Sequence, residues 1–147
     1  RRNLDTETQQ KEYTDLLEKF KKHNFNAILT QIRPSADALY ESSFEPWSEV
    51  LQGKQGLPPN PYYDPTAWMI EQCHQRGFEF HAWVNPFRAI SSVTFSSIHP
   101  DHITKKEPEW FFKYGDRVYF NPGIPEVRTY LVKVALEIVR KYDIDGL

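Results

Sequence analysis

The chain has 147 residues, 39% of them hydrophobic and 15% aromatic, with four Trp and a formal net charge of −2 at neutral pH, enough apolar material for one globular unit with a sizeable core. Near-neutral charge without a Lys/Arg stripe removes the electrostatic footprint of non-specific nucleic-acid binding, so no DNA or RNA partner is expected. No apolar run approaches the ~20 residues that span a bilayer, the first residues lack the basic-then-apolar order of a signal peptide, and Cys73, the only cysteine, excludes an intrachain disulfide and a cysteine-based zinc site.

Asp5 or Thr6 can cap a first helix that carries Tyr13, Leu16, Leu17 and Phe20 on one apolar stripe. After the break at "HNFN", the segment "AILTQIRP" reads as a strand ending at Pro34. Ile28, Thr30 and Ile32 lie on one of its faces, and Ala27, Leu29, Gln31 and Arg33 on the other. Residues 35–63 form a long loop. Asp64 as N-cap, Pro65 as first helical residue and Gly77 as left-handed terminator then bracket a helix in "DPTAWMIEQCHQRG". "FEFHAWVN" follows at once as a strand, alternating Phe78, Phe80, Ala82 and Val84 with Glu79, His81, Trp83 and Asn85. A second excursion, residues 86–118, contains "SSVTFSSIHPDH" and a hairpin around "KYGDRVYF" that turns at Gly115–Asp116. "NPGIPEVRTYLVKVALEIVRKY" predicts a further helix, with Pro125 in its first turn and Val127, Leu131, Val134 and Ile138 on one face. "DIDGL" starts another strand.

Helices alternating with strands argue for an α/β fold with parallel strands and crossover helices. Helix-to-strand connections are short, whereas strand-to-helix connections are long and rich in Tyr, Trp, His and Asp. That asymmetry belongs to a barrel or open sheet whose site lies at the carboxyl ends of the strands. Neither G-x-G-x-x-G nor a Walker pattern occurs, so no nucleotide and no cofactor is expected. A (β/α)8 TIM barrel needs roughly 250 residues, so the chain is expected to form about half of one. Its open strand edges would be completed by a longer chain or by self-association of this piece.

On the strand at 78–85, the face of Glu79, His81, Trp83 and Asn85 would climb towards the barrel mouth, with Arg33 emerging beside it from the neighbouring strand. A satisfied polar layer within the barrel is the alternative. Asp37 and Tyr40 follow Arg33 in the first long loop, and Arg88 follows Asn85 in the second; such positions serve function, or act as caps and turn ligands. "HPDH" (His99, Asp101, His102) holds metal-capable side chains but matches no dedicated pattern, so no metal is expected. Trp47, Tyr62, Tyr63, Trp110 and Tyr119 either stack on sugar rings or pin their own loops. Tyr13, Trp68 and Tyr142 read as helix-face packing, and Cys73 as a small core residue. A G-x-S-x-G nucleophile elbow is absent from the sequence.

"QIRPSADALYES", "HAWVNPFR" and "NPGIPEVR", set within matches along nearly the whole chain, resemble the glycosyl-hydrolase-like 10 family, a group of bacterial surface or envelope proteins. The resemblance implies one TIM-barrel glycosidase domain over residues 1–147, with a first strand before residue 1 and more after Leu147. It also implies a glycan substrate, whether cell-wall polymer, dietary or host polysaccharide, and a cell-envelope location. Hydrolysis would use two carboxylates flanking an oxocarbenium-like transition state. These carboxylates are expected beyond Leu147, with Asp145 low on its strand as a structural residue. Arg33, Asp37, Tyr40, His81, Trp83, Asn85 and Arg88 are the expected substrate-binding residues. Competing readings are a carbohydrate-binding barrel without chemistry and a metal-dependent deacetylase using the "HPDH" loop.

Overall fold

The computed structural model describes residues 4–94 and 96–147 and begins with α1 (Thr6–Lys22). Asp5 caps it, its carboxylate accepting from Thr8 N at 2.7 Å and lying at the positive end of the helix. α1 buries Leu17 and half-buries Tyr13 and Phe20, but Leu16 remains exposed, so the buried stripe is narrower than its spacing predicts.

Strand β1 (Ala27–Arg33) pairs in parallel with β2 (Glu79–Val84), in register from Ala27↔Glu79 to Gln31↔Trp83. Between them run α2 (Glu49–Gln52), a short helix inside the long loop, and α3 (Pro65–His74). Asp64 caps α3 through Ala67 N at 3.0 Å with Pro65 in the first turn, and the chain reverses at Gly77 (φ +79°). A left-handed residue there satisfies the last helical carbonyls, and Phe78 N donates back to Cys73 O at 3.0 Å. The crossover from β1 through α3 to β2 is the predicted parallel unit.

The excursion after β2 is more structured than its sequence suggests. β3 (Arg88–Ile90), α4 (Ile103–Lys106), a 3-10 turn (Pro108–Trp110), β4 (Phe111–Tyr114) and β5 (Arg117–Phe120) follow one another. The predicted hairpin turns at Gly115–Asp116, and β3 adds to it, giving an antiparallel sheet of order β3-β5-β4. Three residues are too few to show alternation, which hides β3 in the sequence.

Helix α5 (Pro125–Lys141) returns the chain to the parallel sheet. Beyond it, Asp145 N donates to Phe80 O at 2.9 Å and Ala82 N to Gly146 O at 2.8 Å, so "DIDGL" joins the other edge of β2 in parallel. Asp145 is structural, as its low position predicts: its carboxylate accepts Phe80 N at 2.7 Å and meets His74 Nε2 at 2.8 Å, and those contacts lower its pKa.

Two apolar clusters hold these layers together. Leu17, Ile28, Ile32, Ile70, Phe78, Phe80 and Ile138 pack the helix side of the parallel sheet, while Ala89, Phe120, Val127, Tyr130 and Val134 join the antiparallel sheet to α5. Each fully buried large side chain contributes about 1.5–3 kcal/mol. Tyr142 connects elements as well: its hydroxyl donates to Asp64 Oδ2 at 2.6 Å, tying the end of α5 to the cap of α3.

Candidate functional site

The opposite face of the parallel sheet is open among the described residues. Leu29 is 69% and Trp83 51% exposed, with His81 half-buried between the strand of Gly146 and Glu79, whose carboxylate lies 3.0 Å from His81 Nε2. Alternation predicts this face correctly for His81 and Trp83. At the carboxyl ends of β1 and β2 the chain then closes around the Pro34 carbonyl, which accepts from Asn85 Nδ2 at 3.2 Å and from Arg88 Nε at 2.8 Å. Trp83 Nε1 donates to Asn85 Oδ1 at 3.3 Å, so Trp83, Asn85 and Arg88 form one connected rim.

Beside that rim lies a cavity of about 190 Å³, lined by polar residues that include Gln31, Ser35, Asp37, Gln55 and Arg88 and by apolar ones that include Ile90 and Ile98. Asp37 anchors its floor. Its carboxylate accepts Ser35 N at 3.0 Å and Gln55 Nε2 at 3.3 Å, yet it is only 2% exposed, and burial outweighs these bonds to push its pKa up to about 6. The hydroxyl of Ser35 is buried with no hydrogen-bond partner among the described residues. Glu49, also on the lining, accepts Ser96 Oγ at 3.4 Å and Ser97 N at 3.0 Å, stitching α2 to the loop after β3. The cavity thus offers hydroxyl, amide and guanidinium groups, the mixture that binds a hydroxyl-rich ligand.

Two of the predicted binding residues take other places. Arg33 does not project into the rim, because the pairing of β1 shifts between Gln31 and Arg33 and turns its side chain away from the open face. It is 1% exposed and salt-bridged through both Nε (2.7 Å to Oε2) and Nη2 to the buried Glu45, while Nη1 donates to Asn85 O at 2.6 Å and to Pro86 O at 3.3 Å. Burial opposes its charge, but Glu45 outweighs burial and raises its pKa, so it remains an ion. Arg33 therefore fixes the strand ends and, buried there, presents no group to the open face. Tyr40 is also absent from the rim. The loop turns back on β1, Leu39 N donating to Ile32 O at 2.9 Å, and this lays Tyr40 into the core with its ring edge on Tyr142 at 5.6 Å.

Most aromatic residues of the long loops pin those loops: Trp47 packs on Tyr62, Tyr63 on Trp68, and Trp110 on Tyr130. The "HPDH" residues diverge. His102 is buried, caps α4 and points Nε2 at Ser35 O (3.4 Å), and burial lowers its pKa to about 4, whereas His99 Nδ1 accepts Asp101 N at 3.1 Å. Ser35, Ser48, Glu49 and Gln55 escape sequence reading, since loop serines and glutamines carry no periodic signal. "PWSEV" alone hints at a helix start, Ser48 capping α2.

The family model described as "Glycosyl hydrolase-like 10" matches residues 1–147. The chain is 45% identical over its full length to "Glycosyl hydrolase YngK" of Bacillus subtilis (strain 168), of which it covers 29%. Over 95% of its length it is 32% identical to "Glycosyl hydrolase DigH" of Escherichia coli (strain K12), of which it covers 33%. Thus it spans about a third of the curated relatives it matches. Among solved structures it resembles a noncanonic maltogenic alpha-amylase, AmyB from Thermotoga neapolitana (TM-score 0.60, 16% identity, 99% of this chain and 35% of that one). It also resembles the galactosidase domain of alpha-galactosidase-sucrose kinase, AgaSK (TM-score 0.60, 13% identity, 92% and 18%). At such identity these likenesses speak to fold alone.

Proposed function

We propose, from the premise that this chain belongs to the glycosyl hydrolase-like 10 family, that it forms the sugar-holding part of a glycoside hydrolase built as a (β/α)8 barrel. The observation that carries the proposal is the cavity beyond the carboxyl end of β1, between the loop that follows it and β3, on the side where barrel enzymes place their sites. A sugar unit of a cell-wall strand or another polysaccharide would enter it with hydroxyls on Ser35, Asp37 and Arg88, the Trp83 indole forming a wall outside. Among the described residues no acceptor meets the Nη groups of Arg88, which leaves them free for a ligand.

Cleavage would use an acid that protonates the leaving oxygen and a second carboxylate that acts as base or nucleophile. Neither role is assigned to Asp37 or Glu49, because both are held by protein donors. That same observation favours a second reading, a barrel that binds glycan without turnover. Full-length protein incubated with bacterial cell-wall glycan strands and with plant and host polysaccharides separates the two. Release of reducing ends is expected; retention of a glycan without release supports the second reading, and neither binding nor release removes both.

A further inference from the structure

The "HPDH" residues have no part in the proposed site, yet they tie one of its walls in place. Residues 96–106 run from that wall to the end of α4, Ser96 and Ile98 lining the cavity. Four contacts fasten them to the loop after β1. Ser96 Oγ and Ser97 N donate to Glu49, His99 N donates to Gln55 Oε1 at 2.8 Å, and His102 Nε2 faces Ser35 O at 3.4 Å. Two histidines shape the segment from within by the same bond: His99 Nδ1 accepts Asp101 N at 3.1 Å, and His102 Nδ1 accepts Thr104 N at 3.3 Å, which caps α4. At His102 the partners fix the tautomer. Nε2 faces a carbonyl, which only accepts, and Nδ1 faces a backbone N–H, which only donates, so the ring is neutral with its hydrogen on Nε2.

A second proton would fall on Nδ1. The Thr104 hydroxyl, 2.8 Å from Nδ1, could accept the new N–H, but the backbone N–H of Thr104 would be left facing it and the cap would be lost. The charges around the ring offer no relief. Arg33 from β1, Lys105 from α4 and His99 from the same segment all disfavour the imidazolium, and Glu45 is engaged by Arg33. Asp37 lies on the far side of Ser35, accepting Ser35 N at 3.0 Å, and is mostly neutral below about pH 6. Asp101, 3.8 Å from His99 Nδ1, and Lys106, 3.9 Å from Asp101, are exposed and lie on the segment itself. His102 is wholly buried, so it takes up a proton readily only by leaving its seat. We propose that residues 96–106 are an acid-released latch on the cavity: neutral His102 clasps the segment to Ser35, and a proton on Nδ1 frees it and opens the wall formed by Ser96 and Ile98.

Amide hydrogen exchange of residues 103–106 in full-length protein, corrected for the intrinsic effect of pH, reads how often the segment opens. His102→Asn serves as control, because its Oδ1 can cap α4 as the imidazole does but cannot titrate. The closed segment holds the imidazole pKa at about 4 against an ordinary 6.5, so lowering pH from 7 to 5 should raise opening about twentyfold more in wild type than in the variant. Equal pH dependence in the two overturns the inference. Should the variant leave the segment open at pH 7, the wild type alone supplies the check: nitrogen NMR reads the protonation of His102, and opening must rise with it. A segment that stays protected while His102 is protonated, or an Nδ1 that carries a proton at pH 7, overturns the latch. Glycan binding and cleavage bear on the functional reading alone, because the latch acts on the wall whatever the cavity holds.

Discussion

Arg33 and Asp37 leave the same end of β1, and their surroundings give them different tasks. Arg33 and Glu45 form a buried ion pair, and removing either partner would leave the other without its counter-charge. Arg33→Met should therefore cost about 3–5 kcal/mol in urea denaturation, while Arg33→Met with Glu45→Met should recover most of it; a double variant no more stable than the single one would contradict this pairing. Asp37 and His102 carry opposed pH effects. The pKa of His102, lowered from 6.5 to about 4, gives stability that is present above pH 6.5 and lost as pH falls towards 4. Asp37, raised from 3.8 to about 6, works the other way: its contribution is present below pH 3.8 and lost as pH rises through 6. Asp37→Asn leaves His102 unopposed. The variant should melt higher than wild type above pH 6.5, by at most about 2–3 kcal/mol, and lose that advantage as pH falls to 4. Parallel melting curves across that window would refute the assignment.

At the level of elements, punctuation is what the sequence displays best. Asp5, Asp64, Pro65, Gly77 and Pro125 mark helix ends that the structure reproduces, and alternation along 78–85 separates core from open face. Pairing irregularities are not written in a local pattern. The register shift at Arg33 and the loop folding back over Tyr40 each move a predicted rim residue into the interior, and Glu45, the partner that makes this possible for Arg33, lies in a separate loop. The cavity was half legible: Asp37 and Arg88 stand out by type and position, whereas Ser35 and Gln55 acquire meaning only when loops meet. Gly146 shows a similar dependence on tertiary context. A Cβ there would lie 2.4 Å from His81 Nδ1 and 2.9 Å from its Cγ, so the ring would have to move. Gly146→Ala in the full-length protein should cost about 1–3 kcal/mol, measured by thermal melting; an unchanged melting temperature would show that His81 moves freely.

Across the molecule, short returns at the amino ends of the strands and long excursions at their carboxyl ends concentrate polar and aromatic side chains on one side. Arg33 and Glu45 brace that side from beneath, while Pro34 gathers Asn85 and Arg88 above it. Arg88 is shared by the rim, the cavity and the antiparallel sheet, and with one bond among the described residues, to Pro34, it is more expendable for folding than Arg33. The most direct test is therefore kcat/KM for release of reducing ends from cell-wall glycan strands by full-length protein carrying Arg88→Ala. A fall of at least about tenfold, with the melting temperature within a few degrees of wild type, is predicted; an unchanged kcat/KM in a folded variant would contradict the placement of the glycan at this cavity.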